Sequence, residues 1–347
     1  MRKTAAKLLT VAALATSVAT VVSGTAVADP ATGVTPRAID IVGVGSDTTQ
    51  TVLNQLSADY NASLTDPNAP RLYSWDATGT SPITTKTGAT SIDRPNGSGA
   101  GVKALANNTS ATVDFARSSR GPAATDAHGL DFVALAKDAV TWSAQASGNA
   151  PASLTVAQLK AIYQCDPAAR TWNQIDSTKP ATNILPYLPQ ANSGTRAFFL
   201  TAIGNPTLGT CVQDGPEENE GTDSHLQDPN VIFPYSVAKY LGQTVGGHST
   251  STDAPGTLTL RSVVLGTAPV APVANGVINA AFANSAFGRV VYNAIRDTEW
   301  TATDAHGTAL RAIFGPTGWI CTNATAKADL KSYGFLVTPA CGSFVQS

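Results

Sequence analysis

Three short Gly/Ser/Thr segments, each running straight into an apolar stretch, constrain this chain more than any other feature. They are Gly43-Val44-Gly45-Ser46-Asp47-Thr48-Thr49 before Val52-Leu53, Gly97-Ser98-Gly99-Ala100-Gly101 before Val102-Lys103-Ala104-Leu105, and Ser193-Gly194-Thr195 before the run from Arg196 to Ile203. A helix start leaves its first N–H groups without intrahelical partners, and neighbouring hydroxyls can join them in holding an anion. One such segment need be no more than a cap, because Ser and Thr are ordinary N-cap residues. Three of them facing one cleft make an oxyanion pocket.

The first 28 residues read as a secretion signal and not as part of the fold. Arg2, Lys3 and Lys7 form a basic start, Leu8 to Val22 is apolar and small, and Ala26-Val27-Ala28 fits a cleavage site after Ala28. No cysteine near that point invites a lipid anchor, and no later run is apolar enough to span a bilayer. The expectation is a secreted chain of 319 residues, enough for two lobes with their own cores. Losing three basic residues leaves 19 Lys and Arg against 24 Asp and Glu, which disfavours nucleic acid as a partner. A buried anion site survives that balance, because local dipoles and hydrogen bonds decide it.

Cys165, Cys211, Cys321 and Cys341 are an even set in an exported chain and read as two disulfides. Of three possible pairings, Cys165–Cys211 with Cys321–Cys341 keeps each bridge within one sequence region. The four histidines are scattered, so no zinc site is expected. Glu217, Glu218 and Glu220 lack the alternating oxygen ligands of a calcium loop and read as a solvated acidic excursion. Trp142 and Trp172 read as packing residues.

Strand-like and helix-like stretches alternate, which predicts an α/β fold. Ala38 to Val44 leads into the first loop, Thr112 to Ala116 is a strand, and Ile184 to Leu188 feeds the third loop. Leu130 to Gln145 is long for one strand and reads as two in succession, the chain passing between lobes near Lys137–Val140. Val231 to Leu241 reads as the return crossing. The lobes are then 37–137 with 242–347, and 138–241.

With these segments in view, the chain resembles the phosphate-binding proteins of ABC importers, which have the two-lobed type II periplasmic-binding-protein fold. Gly45-Ser46-Asp47-Thr48, Ala58-Asp59-Tyr60-Asn61, Gly97 to Lys103, Val113-Asp114-Phe115, Trp172-Asn173 and Ser193-Gly194-Thr195 carry the likeness, from about Ile39 to Leu241. It implies mixed, mainly parallel sheets with helices on both faces, and lobes that close over a dehydrated ligand. The family's anion contacts fall on Asp47 and Thr48 beside Ser46, on Ser98, and on Ser193, Gly194 and Thr195. Its proton-accepting aspartate falls on Ser119 and its arginine on Pro189, so both charged members are missing from their usual places. Arg117, Arg120 or Arg196 can supply the cation, Arg120 being preferred for its position beside Ser119, with Asp47 taking the ligand's proton.

The expected function is capture of a tetrahedral oxyanion, phosphate first, by a secreted monomer that can serve an ABC permease. No cofactor or metal is implied. The alternative is a secreted interaction module that keeps the fold without an anion. A hydrolase is disfavoured, because no Gly-x-Ser-x-Gly surrounds Ser193 and no nearby His is an evident base.

Overall fold

The computed structural model describes residues 29–30 and 33–347, so the secretion signal expected over residues 1–28 lies outside the described residues. Nine strands join in one sheet, whose main path is β2 (Leu72–Ser74), β1 (Ile41–Gly45), β3 (Phe115–Ser118), β13 (Gly288–Arg296), β4 (Leu130–Gln145), β7 (Val231–Ser236) and β6 (Leu185–Pro186). Strands β8 (Leu258–Leu260) and β14 (Phe344–Gln346) also pair with β4. A second sheet joins β5 (Ser153–Thr155), β9 (Ser262–Leu265) and β10 (Ala268–Val270), and β11 (Val273–Ala274) pairs with β12 (Val277–Ile278).

The fold is mixed α/β, as the alternating pattern predicts. Its parallel pairings lie at the flanks, β1 with β2 and β3, β6 with β7, and β5 with β9. The central strands pair antiparallel, so parallel pairing is less dominant than the resemblance implies. Leu130–Gln145, expected as two strands, is one strand of 16 residues. Its Leu130–Ala139 part pairs with β13, and Val140–Ser143 pairs with β7. Only Lys137 along it is not buried, which accounts for apolar residues on both of its faces. Because β8 pairs with Ser143–Gln145 and β9 with β5, we propose that 258–270 belong with the second lobe, although the sequence pattern assigns them to the first.

Helices α1 (Gln50–Ser63), α2 (Ser98–Asn107), α3 (Val156–Gln164), α4 (Trp172–Ile175), α5 (Gly194–Ala202) and α6 (Val237–Thr244) pack on these sheets. Helix α1 buries Val52, Leu53, Leu56 and Tyr60, the apolar positions of its helical repeat. Trp142 and Trp172 are fully buried, as packing residues should be. The disulfides are Cys165–Cys211 and Cys321–Cys341. The first ties the end of α3 to the long 203–230 excursion, at its Cys211.

A buried ion pair holds the strands that carry the first loop. Lys86 Nζ lies 2.7 Å from Asp114 Oδ2, and both side chains are almost wholly inaccessible. The same carboxylate oxygen accepts the Val42 N–H of β1 at 2.7 Å, while Lys86 also donates to the Asp40 carbonyl. Burial pushes the Asp114 carboxyl upward, and the Lys86 charge opposes that shift. Replacing Lys86 with Met removes the cation closest to this buried carboxylate. Urea unfolding of Lys86→Met is expected to show a loss of about 3–5 kcal/mol.

Candidate functional site

The first loop is shaped by a charge placed behind it. The Arg117 guanidinium is fully buried and donates to the carbonyls of Ser46 (3.0 Å), Gly45 (3.2 Å) and Trp75 (2.6 Å), and to Ser74 Oγ. Burial lowers its pKa to about 10, which leaves it charged at neutral pH. It braces the turn and is committed to carbonyl oxygens. Gly97, at the start of the second loop, has φ +89°, and a Cβ there would overlap the Asn192 carbonyl of the third loop. That carbonyl also accepts the Gly99 N–H at 3.1 Å. Gly194 permits the remaining close approach, since a Cβ on it would overlap the hydroxyls of both Ser98 and Ser119.

The three loops therefore meet. Thr48 Oγ1 lies 3.1 Å from Thr195 Oγ1, and Ser98 Oγ lies 3.2 Å from Ser119 Oγ. Ser98 Oγ also accepts the Ser119 N–H at 2.9 Å. Ser193 caps α5 by accepting the Arg196 N–H at 3.0 Å. Thr48, Ser98, Ser119, Ser193 and Thr195 are all buried.

A carboxylate of the chain itself sits among these donors. Glu218, expected on a solvated loop, is completely buried. Its Oε2 accepts the Ser193 hydroxyl and the Thr195 N–H (3.3 Å), and its Oε1 accepts the Thr48 N–H (3.4 Å). The neighbouring residues are held as well. Glu217 accepts from Asn96 Nδ2 at 2.9 and 3.0 Å, and Asn219 Nδ2 donates to Asp47 Oδ2 at 3.0 Å. The acidic excursion is thus drawn inward, because its carboxylates find a surplus of donors in the cleft. Glu-Glu-Asn after Gly215-Pro216 carries no sequence signal of that destination.

The cation is also in an unexpected place. Arg120 spends its guanidinium on Asp126, with both nitrogens at 2.7 Å, and donates to the Gly121 carbonyl. The expectation that it faces the pocket fails for that reason. Arg196 turns to Asp214 and the Pro189 carbonyl. Arg289, in β13, instead donates from Nη2 to Thr195 Oγ1 at 3.0 Å and pairs with Asp138 at 2.7 Å, both residues being buried. Its Nη1 is buried without a partner. Ser46 lies in the loop, but its buried hydroxyl has no partner and does not join the cluster.

Asp47 takes no part in capping, since α1 has no side-chain cap. Its carboxyl is pushed up to about 8, mainly by burial, with Asp253 and Glu218 adding to the rise and Lys239 opposing it. At neutral pH it keeps a proton, so it does not repel a neighbouring anion as a carboxylate would.

The sequence profile described as the PBP superfamily domain matches residues 15–282. No curated protein matches the chain at a significant level. Among solved structures, an ABC-type phosphate transport receptor from Vibrio cholerae superposes with a TM-score of 0.57 at 16% identity, over 86% of this chain and 100% of that one. A putative phosphate ABC transporter substrate-binding protein from Clostridium perfringens, solved with bound phosphate, gives 0.58 at 13% identity, over 86% and 99%. At such identities the likeness establishes the two-lobed fold.

Two measurements check this geometry. Gly194→Ala forces a methyl group against two hydroxyls, and its thermal unfolding is expected to show a loss of about 1–3 kcal/mol. For Asp47, the folded pKa of about 8 lies above the ordinary 3.8, so the folded state holds the proton more tightly. The stability this brings is complete below pH 3.8 and is lost as pH rises towards 8. The melting temperature of Asp47→Asn is therefore expected to gain on that of the wild type between pH 5 and pH 8.5.

Proposed function

The chain belongs to the PBP superfamily, and on that footing we propose that it is a solute-binding protein whose cleft captures a tetrahedral oxyanion, phosphate first. The supporting observation is Glu218: the converging loops hold an oxyanion of the chain itself through the Thr48 N–H, the Thr195 N–H and the Ser193 hydroxyl. Such a set of donors suits a carboxylate, a phosphate or a sulfate alike. The phosphate bound in the Clostridium perfringens structure argues for that ligand first.

In this proposal the protein performs no chemistry on its ligand. Helices α1 and α5 each bring roughly half a unit of positive charge at their starts. Ser98, Ser119, Ser193 and Thr195 supply hydroxyls, while Ser46, Asp47, Thr48 and Gly194 belong to the loops that frame the pocket. Arg289 takes the cationic role that Arg120 does not, and protonated Asp47 can donate to an anion. Closure of the lobes excludes water and strengthens each of these bonds. The receptor acts as a secreted monomer and passes its ligand to an importing permease.

One observation favours a second reading. Glu218 already fills the pocket, as it would in an interaction module that has abandoned anion binding. Calorimetric titration with phosphate, sulfate and arsenate decides between the two, run on the wild type and on Glu218→Ala. Saturable phosphate binding is expected, weakened about 100-fold or more by Ser98→Ala with Thr195→Val, since hydrogen bonds to charged groups are worth about 1.5–3 kcal/mol each. Binding of no oxyanion by either protein sinks the receptor and leaves the module.

A further inference from the structure

We infer that Glu218 is a tethered competitor for the anion pocket, one that holds the cleft shut until a diffusible oxyanion displaces it. The inference rests on the oxyanion reading above and adds the regulation of that site.

Three observations carry it. First, the carboxylate binds as a ligand does, to the Thr195 N–H in the first turn of α5, to the Thr48 N–H in the turn leading into α1, and to a hydroxyl. Those helices have 14 and 9 residues, so neither is a stray turn. Second, the segment carrying Glu218 is clamped on both sides of the cleft. Asn96 and Asp47, beside the second and first loops, hold Glu217 and Asn219. Gln190, before the third loop, accepts the Glu218 N–H at 3.0 Å. The Asn219 carbonyl accepts Tyr235 Oη at 2.6 Å and Gln243 Nε2 at 2.9 Å, and Asn219 itself adopts a left-handed φ of +66°. A segment gripped from both sides couples its own release to opening of the cleft. Third, the occupant leaves one donor unused, because Arg289 Nη1 stays buried and unpartnered while its sister nitrogen touches Thr195. A tetrahedral anion has more oxygens than a carboxylate with which to reach it.

Two like charges cannot share one small buried pocket, so phosphate and the Glu218 carboxylate exclude each other. The observed dissociation constant then equals the intrinsic one divided by the fraction of molecules whose pocket is vacant. Glu218 occupies the donors the ligand would use, and so lowers affinity.

Calorimetry with inorganic phosphate on the full mature chain tests this. Glu218→Ala is expected to bind at least about tenfold more tightly than the wild type, the value for a pocket vacant less than a tenth of the time. Glu218→Gln, which keeps the shape without the charge, is expected to fall between them and carries the test should the alanine variant fail to fold. Small-angle scattering supplies a second readout. Without phosphate the wild type should already have the compact radius of the closed form, and Glu218→Ala should contract only when phosphate is added. Equal affinities in wild type and variants overturn the competitor and leave the oxyanion receptor standing. Weaker binding by the variants also overturns it, by making Glu218 a helper of the ligand. Absence of phosphate binding in all three proteins overturns both proposals together.

Discussion

A charge taken out of water must be repaid in hydrogen bonds, and the buried carboxylate of Glu218 imposes that demand on the centre of this molecule. Removing a carboxylate from solvent costs several kcal/mol even after relaxation. Here the compensation comes from neutral donors, the Thr48 and Thr195 N–H groups and the Ser193 hydroxyl. The Thr195 N–H is free because it lies in the first turn of α5, where no intrahelical acceptor exists, and the Thr48 N–H lies in the turn just before the Thr49 cap of α1. Bringing them within reach of one carboxylate needs backbones almost in contact, which is why glycine stands at 97 and 194. It also needs a rigid first loop, which Arg117 provides from behind.

The same demand links the pocket to the central sheet. Strand β4 runs through the whole sheet, and Asp138 stands on it where the pairing passes from β13 to β7. Asp138 binds Arg289 on the facing strand, Ser236 Oγ at the end of β7, and the Ala238 N–H at the start of α6. Arg289 in turn touches Thr195. A single buried ion pair thus joins β4 and β13 to the third loop. Lys239 of α6 adds a link to α1 by donating to Thr51 Oγ1 at 3.0 Å, while Asp253 balances its charge at 2.7 Å.

Charged residues separated what could be read in advance from what could not. The hydroxyl and glycine positions were legible, because a helix start is a local event and its Ser, Thr and Gly residues sit beside the apolar run they introduce. The partners of the charges were not. Ser119 beside it points Arg120 towards the pocket in the sequence, yet Asp126 six residues away offers a bidentate partner. Nothing in the sequence singles out Arg289, which meets Asp138 only because β13 pairs with β4. The glutamates at 217 and 218 had the composition of a surface loop, and only the donor-rich cleft drew them in.

The amino-acid order alone determined the α/β class, three Gly/Ser/Thr segments at helix starts, the buried tryptophans and an even cysteine set fit for two disulfides. Each of these follows from periodicity, capping chemistry or composition, which need no tertiary contact. Tertiary structure decided which arginine meets the pocket, that residues 130–145 form one strand, and that a carboxylate 23 residues beyond Thr195 fills the site. Those outcomes depend on the mutual solvation of groups far apart in sequence, and such groups become neighbours only once the sheet has assembled.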